Sequence, residues 1–128
     1  MELPPFRKLI VWQKAMELVH MVYQMLKNFP ADERYALTDQ LRRAVISIPS
    51  NIAEGCGRAS IKDYAHFLAM ARGSLYATST QLQIAQDLGY IDDYDSCDEL
   101  LQETGRMLTS LMKKYDGIRS TTTTTNYN

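Results

Sequence analysis

Residues 60–89 read SIKDYAHFLAMARGSLYATSTQLQIAQDLG, and this stretch decides the fold class. Its apolar and small residues recur at alternating steps of four and three: Tyr64, Leu68, Ala71, Leu75, Thr78, Leu82 and Ala85. Such spacing keeps one face of an α-helix against a partner helix at a shallow crossing angle. Ser60, with Asp63 three positions later, is typical of a helix start, and Gly89 of a helix end. The stretch therefore predicts one long helix with a single buried face.

Two further segments show the same spacing. Pro4-Pro5 prevents an earlier start, so the first of them begins near Arg7. Its apolar row consists of Val11, Ala15, Leu18, Val22, Met25 and Phe29. The other segment follows Asp92, a suitable N-cap residue. Its row consists of Cys97, Leu101, Thr104, Leu108, Leu111 and Tyr115. Each row predicts a helix.

The remaining helix is predicted from about Arg34 to Cys56, and it contains a proline. Its predicted inner face consists of Leu37, Leu41, Ala44, Ile48 and Ile52. Pro49 removes the hydrogen bond to the carbonyl of Val45, so we expect a kink there. The small polar residues expected to satisfy the freed backbone groups are Ser47, Ser50 and Asn51. Gly55 and Gly57 predict that the helix ends in a left-handed conformation.

Connections of about three to six residues between long helices imply antiparallel neighbours. We therefore predict an all-α fold, an antiparallel up-and-down four-helix bundle with its second helix kinked at Pro49, over residues 1–116. Residues 117–128 contain a run of threonines and no repeating apolar positions. Because threonine is a poor helix former, this segment is predicted to be a flexible tail.

The first helix carries a second apolar row beside the first: Trp12, Met16, Val19, Tyr23 and Leu26. Neighbouring residues lie about 100° apart around a helix, so the two rows make more than half of its surface apolar. One interpretation is that the second row contacts another copy of the chain in a homo-oligomer. The alternative is that this helix lies deeper in its own bundle.

Composition and charge exclude several function classes. The net charge of −1 gives the chain no general attraction to nucleic acid or to an anionic membrane. No apolar run is long enough to span a bilayer, and the N-terminus lacks a signal peptide. Two cysteines without CxxC spacing favour a reduced, cytoplasmic setting. Residues 1–74 are net basic and residues 75–128 net acidic. A solvated face is the plain interpretation of that asymmetry.

The sequence offers no recognisable catalytic or metal-binding pattern. His20 and His66 fall among polar residues on predicted solvent faces, and neither has a second ligand at metal spacing. Cys56 has no histidine placed by sequence to activate it. We therefore expect no metal, no cofactor and no enzymatic activity.

Two polar clusters stand out from this background. One is the adjacent pair Arg42-Arg43; the other runs from Ser50 to Arg58 and includes Asn51, Glu54 and Gly55. The third helix carries Arg72, Gly73 and Ser74, whose small members would permit close helix contact. A glycine inside a helix costs roughly 1 kcal/mol relative to alanine, so Gly73 is expected to have a packing role. Glu54 and Arg72 are then available as an ion pair, with ordinary surface charge as the alternative.

An ordered series of motifs resembles one protein family. The motifs are FRKLIVWQKA at 6–15, FPADERYAL at 29–37, QLRRA at 40–44, SIPSNIAEGCGR at 47–58 and ARGSL at 71–75. The chain is similar to the four-helix bundle proteins encoded by intervening sequences within bacterial 23S ribosomal RNA genes, often labelled ribosomal proteins. The resemblance covers residues 6–115. It implies a ring-shaped homo-oligomer, a pentamer in related structures, and no established activity.

The resemblance also bears on nucleic acid. A similar fold occurs in accessory proteins of diversity-generating retroelements, which bind nucleic acid and a reverse transcriptase through a basic surface. In the family pattern, glutamates stand where this chain has Ala77 and Ser79. Arg42 or Arg43 is therefore expected either to face a ligand or to pair with Glu54 or Asp39.

Two functions follow as expectations. The first is a non-catalytic oligomer that binds RNA, or an RNA-associated protein, through cations repeated around a ring: Arg42, Arg43, Arg58, Lys62 and Arg72. The second is a protein-interaction scaffold without a nucleic-acid role. Its candidate docking face is the acidic start of the fourth helix: Asp92, Asp93, Asp95, Asp98 and Glu99.

Overall fold

The computed structural model describes residues 3–119, with side chains over residues 3–115. The four α-helices are α1 (Ile10–Leu26), α2 (Leu37–Cys56), α3 (Ile61–Asp87) and α4 (Asp95–Arg119). Short 3-10 turns at Phe6–Lys8 and Ala31–Glu33 precede α1 and α2. Residues 3–119 contain no strand, so the all-α prediction with four helices is confirmed.

The core lies between all four helices. α1 packs against α2, α2 against α3, α3 against α4, and α4 closes the ring against α1. The whole predicted row of α3, from Tyr64 to Ala85, is buried. In α1 the buried residues are Val11, Ala15, Leu18, Val22 and Leu26. Each helix thus turns one strongly apolar row inward, and the removal of that area from water is the main stabilising term.

The predicted inner face of α2 is wrong at two positions. Leu37 and Ala44 remain partly exposed, whereas Thr38 and Val45 are buried in their place. Leu41, Ile48 and Ile52 are buried as predicted. Ala44 would bury little apolar area, so the core takes the larger side chain of Val45.

The polar residues around Pro49 form a different set of hydrogen bonds from the one expected. The hydroxyl of Ser50 donates to the carbonyl of Ile46 at 2.9 Å. The amide of Asn51 donates to the carbonyl of Ser47 at 2.8 Å. These side chains therefore bind the carbonyls of Ile46 and Ser47. The carbonyl that loses its N–H partner to Pro49 is that of Val45, and they do not bind it.

Gly55 is the glycine that sets the contact between α2 and α3. It is buried inside α2, so the predicted left-handed helix end is wrong there, and Gly57 ends the helix with φ −85°. A Cβ atom at Gly55 would lie 2.9 Å from Cβ of Phe67 and 3.1 Å from a ring carbon of Tyr64. The absence of a side chain at Gly55 therefore lets the start of α3 pack directly against the end of α2. Among the described residues, the glycine with positive φ is Gly89, at 78°, just after α3.

The predicted packing role of Gly73 is wrong within the chain. Gly73 is exposed, and a Cβ atom there would meet nothing within 4 Å. Its neighbour Ser74 does face α2, and the hydroxyl of Ser74 donates to that of Ser47 at 2.9 Å. Helices α2 and α3 therefore meet at the small polar residues as predicted, although Gly73 is not one of the contacts.

The ends of α3 and α4 also differ in part from prediction. Ser60 caps α3 by accepting a hydrogen bond from the N–H of Asp63, as expected. The carboxylate of Asp93, not that of Asp92, accepts from the N–H of Asp95 at the start of α4. α4 continues to Arg119, past the boundary predicted at residue 116. The rest of the predicted tail, residues 120–128, lies outside the described residues.

Candidate nucleic-acid interface

Arg42 and Arg43 share one carboxylate partner. Nε of Arg43 lies 3.0 Å from Oδ2 of Asp39, and Nη1 of Arg42 lies 3.9 Å from Oδ1. The guanidinium of Arg42 also lies over the ring of Tyr23, 5.9 Å from its centroid. The pairing with Asp39 that was one of the expected alternatives is confirmed. Because Asp39 offsets part of their charge, these two arginines attract phosphate less strongly than two free cations would.

The expected ion pair between Glu54 and Arg72 is wrong. Glu54 binds Arg58 at 2.6 Å, because a residue four positions later in the chain lies directly beside it. The guanidinium of Arg58 also lies 4.7 Å from the ring centroid of Phe67. Arg72 instead points toward α4, where its Nη1 donates to the hydroxyl of Thr109 at 3.3 Å. Lys62 lies exposed in the first turn of α3.

The five predicted cations do not form a single patch. Arg42 and Arg43 lie in the first half of α2, on the side of Tyr23 in α1. Arg58 and Lys62 flank the connection from α2 to α3, roughly 24 Å further along the helix axis at 1.5 Å per residue. Arg72 faces α4. A basic surface at any of these positions would therefore need further cations from other residues.

Further cations line a groove between α3 and α4, called the α3/α4 groove below. Its volume is about 550 Å³. Its lining residues are Leu75, Tyr76, Ser79, Asp98, Leu101, Gln102, Gly105, Arg106, Thr109, Ser110 and Lys113. Leu75 and Leu101 are buried and make the floor apolar. A Cβ atom at Gly105 would lie 3.6 Å from Leu75, so the missing side chain keeps the groove open. Tyr76 is 56% exposed at the rim.

Two cations line one half of this groove, and a third is bound to a lining residue. Arg106 and Lys113 lie one turn before and one turn after Thr109 on α4, and Thr109 holds the guanidinium of Arg72. Within residues 3–115, no carboxylate oxygen lies within 4.0 Å of the side-chain nitrogens of these three residues. The acidic lining residue, Asp98, lies two turns before Arg106, about 12 Å along the axis. Among residues 3–115, the cations of the half of the groove around Thr109 therefore have no direct ion-pair partner.

Sequence reasoning missed Arg106 and Lys113 as binding candidates. Both lie in the acidic half of the chain, where a count of charges hides them. The signal that could have found them is their spacing around Thr109 and Ser110, which places cations and hydroxyls on one face of α4.

The second apolar row of α1 exposes fewer of its side chains than a contact with another copy of the chain was expected to need. Leu26 belongs to the core of its own chain. Trp12 and Val19 are partly buried against that core, and Trp12 also meets the ring of Phe6 edge-on at 5.3 Å. Met16 is half-buried, and Tyr23 remains 37% exposed. The deeper position of α1 that was the alternative interpretation thus describes several members of the row.

A different apolar row lies exposed on α3, away from its core row. It is called the α3 outer row, and its members are Met70, Gly73, the half-buried Ala77, Ile84 and Leu88, which directly follows the last residue of α3. Met70, Ile84 and Leu88 are each more than two-fifths exposed. Their spacing keeps them on one side of the helix, with the small residues Gly73 and Ala77 between the large ones.

The described residues show little that could support catalysis. No group of three or more His, Cys, Asp or Glu side chains in residues 3–115 could hold a metal ion. Burial raises the pKa of the Cys56 thiol, and it raises the pKa of the Cys97 thiol to about 12. Both thiols are therefore protonated and weakly nucleophilic near neutral pH. None of the helices over residues 3–119 is both long and apolar enough to cross a membrane.

Comparison with known proteins shows the family of this chain. The model of the family described as "23S rRNA-intervening sequence protein" matches residues 7–110. The chain belongs to this family. The match covers most of the chain and, apart from Phe6, all of the motifs on which the resemblance rested.

The fold of this 23S rRNA-intervening sequence protein is also found in a solved structure. A crystal structure from Bacteroides thetaiotaomicron, of a protein with unknown function from the S23 ribosomal protein family, is similar with a TM-score of 0.74. The two sequences are 24% identical, and the match covers 81% of this chain and 99% of the other. At that identity the likeness shows the fold alone. No curated protein matches the sequence.

Proposed function

We propose that this 23S rRNA-intervening sequence protein is a non-catalytic, cytoplasmic homo-oligomer that binds RNA. The observation that carries the proposal is the charge of the α3/α4 groove, which is lined by Arg106 and Lys113 and joined through Thr109 to Arg72. None of these three cations has a carboxylate partner among residues 3–115. Cations of this kind release counterions from a phosphate backbone and so favour its binding. The proposal moves the main RNA contact from Arg42, Arg43 and Arg58, each of which lies beside a carboxylate, to the α3/α4 groove.

Self-association supports the same function. The α3 outer row leaves Met70, Ile84 and Leu88 exposed, together with a glycine that has no packing role in the single chain. A second copy covering this row would remove apolar area from water, and Gly73 would let the two helices approach closely. A ring, a pentamer by the family resemblance, repeats the groove in every subunit. Repetition raises avidity without requiring a basic subunit, which suits a chain of net charge −1.

The proposed bundle is antiparallel and up-and-down. Its supporting contacts join helix ends: Gly55 near the end of α2 lies against Tyr64 near the start of α3. The ring of Tyr64 in turn lies 4.9 Å from that of Tyr115 near the end of α4. A kink of α2 at Pro49 remains part of the proposal.

The test is RNA binding by fluorescence anisotropy at several salt concentrations, with stoichiometry from mass photometry. We expect the logarithm of the binding constant to fall linearly with the logarithm of the salt concentration. A triple variant, Arg72→Gln with Arg106→Gln and Lys113→Gln, should lose most of it. The control carries Arg42→Gln and Arg43→Gln and should retain more. Binding that is independent of salt, or equal losses in both variants, would remove the α3/α4 groove from the proposal.

A protein-interaction scaffold is the second candidate. It is favoured by the negative field at the start of α4, where burial and then the charges of Asp98, Asp87 and Asp95 raise the pKa of Tyr94. Such a surface suits a basic protein partner. A pull-down from nuclease-treated lysate separates the two functions, because a scaffold keeps its partner after the RNA is destroyed.

A further inference from the structure

The shape of the α3/α4 groove limits what can enter it. Two packed helices lie about 8–10 Å apart, so the space between them is far narrower than an RNA duplex. At Gly105 the groove is widened by the missing side chain, and its floor is formed by Leu75 and Leu101. A flat, largely apolar ring fits such a slot when it enters edge-first.

The rim supplies an aromatic surface at the right place. Tyr76 lies one residue after Leu75, the residue nearest to the missing Cβ atom of Gly105, and more than half of its side chain is exposed. An exposed tyrosine that lines a groove can stack with an unpaired base. The polar side chains of Ser79 and Gln102 lie in the same lining and can bond to the edge of a base.

The charges orient the backbone of the bound chain. Along α4, Lys113 lies at one end of the groove, Asp98 lies at the other, and Arg106 lies midway between them. Phosphate is attracted to the first end and repelled from the second. Arg72, held by the hydroxyl of Thr109, adds a guanidinium whose remaining donors can contact phosphate oxygen.

We propose that the α3/α4 groove binds single-stranded RNA by taking up one unstacked nucleotide, with the base against Tyr76 and the apolar floor and the phosphate on Arg106 and Lys113. This inference rests on the proposed RNA-binding function and names the form of RNA that the groove accepts. It assigns Tyr76 and Gly105 as the residues that select single-stranded over duplex RNA. It does not require a particular base, since every base offers a flat face for stacking.

The first test compares a labelled oligouridylate with a duplex of the same length, on the full-length chain, by anisotropy. We expect the wild type to prefer the single strand. Gly105→Leu changes no charge and fills the slot, so it should abolish the preference. A Cβ atom at position 105 makes only ordinary contact with Leu75, and circular dichroism checks that this variant folds. As a smaller change, Tyr76→Ala should weaken single-strand binding at least fivefold, and Tyr76→Phe should not.

Two matched controls are present in the chain. Tyr35 is 87% exposed beside Arg34 but lies outside the groove, so Tyr35→Ala should leave binding unchanged. Lys114 is the sequence neighbour of Lys113 and lies over the ring of Tyr115, outside the groove lining. Lys113→Gln should reduce the log–log salt slope by roughly 0.7 and Lys114→Gln should not.

The outcomes separate the inference from the function beneath it. Salt-dependent RNA binding with equal affinity for single strand and duplex, or binding that Gly105→Leu leaves intact, overturns the inference and leaves the proposed function standing. An absence of RNA binding to the wild type overturns both.

Discussion

Alanine at Gly55 and alanine at Gly73 are the same substitution in two helices, and the structure predicts opposite effects on stability. At Gly55 the added carbon would lie 2.9 Å from Cβ of Phe67, an atom fixed to the backbone of α3. The helix as a whole must therefore move, and overpacking of this kind costs about 1–3 kcal/mol. Alanine returns about 1 kcal/mol through its higher helix propensity. The expected result is a net loss of up to about 2 kcal/mol.

At Gly73 the added carbon meets nothing within 4 Å, so only the propensity gain remains. The folded subunit should become more stable by about 1 kcal/mol. Urea unfolding followed by far-UV circular dichroism measures both variants, at a subunit concentration low enough that no oligomer forms. Equal m-values would show that the two variants unfold from states of similar compactness.

The variants Gly55→Ala and Gly73→Ala also distinguish an effect on the stability of the subunit from an effect on oligomer formation. If the α3 outer row contacts a second copy, Gly73→Ala stabilises the subunit and weakens the oligomer, as seen by mass photometry. Gly55 is buried inside the chain, so its substitution acts on the subunit alone. A Gly55→Ala variant that is stabilised as much as Gly73→Ala would refute the close approach of α2 and α3 on which the fold description depends.

Further predictions concern buried polar groups and pH. Oγ1 of Thr38 is buried without a hydrogen-bond partner, so Thr38→Val should raise the free energy of unfolding by about 1 kcal/mol, measured by urea titration. Ser47→Ala and Ser74→Ala should show coupling in a double-mutant cycle, because their hydroxyls bond at 2.9 Å, and strict additivity would contradict that contact. The pKa of Cys97 rises from 9.0 to about 12 on folding, so its contribution to stability is present below pH 9 and is lost as pH rises toward 12, where the unfolded chain releases the proton first. The free energies of unfolding of the wild type and of Cys97→Ala, plotted against pH, should therefore converge above pH 9. Curves that stay parallel would contradict the raised pKa.

The helices were predictable because their signal is local and repeated. The α3 row from Tyr64 to Ala85 is a single period carried through the whole segment, and every predicted member is buried. The Ser60 cap was equally readable, since its hydroxyl and the N–H of Asp63 lie three residues apart in any helix that starts there.

Pairings between helices were not predictable in the same way. Glu54 could reach either Arg58 or Arg72 on sequence grounds, and the choice depends on how α2 and α3 are rotated against each other. The same rotation buries Val45 in place of Ala44. Ala44 and Val45 lie about 100° apart around the helix, so a modest rotation that keeps Leu41, Ile48 and Ile52 inward decides which of the two is buried. Such small rotations also decide which polar residues face a neighbouring helix.

The amino-acid sequence by itself determined the all-α class, the four helices and the family, because periodic burial, caps and ordered motifs are properties of neighbouring residues. Only the tertiary structure decided which glycine brings helices together and where cations without an ion-pair partner among residues 3–115 lie near one another. Gly55 and Gly73 look alike along the chain, but one meets α3 and the other meets no atom. Arg72 lies on α3 and the pair Arg106 and Lys113 lies on α4, and the packing of α3 on α4 is what brings them to one surface.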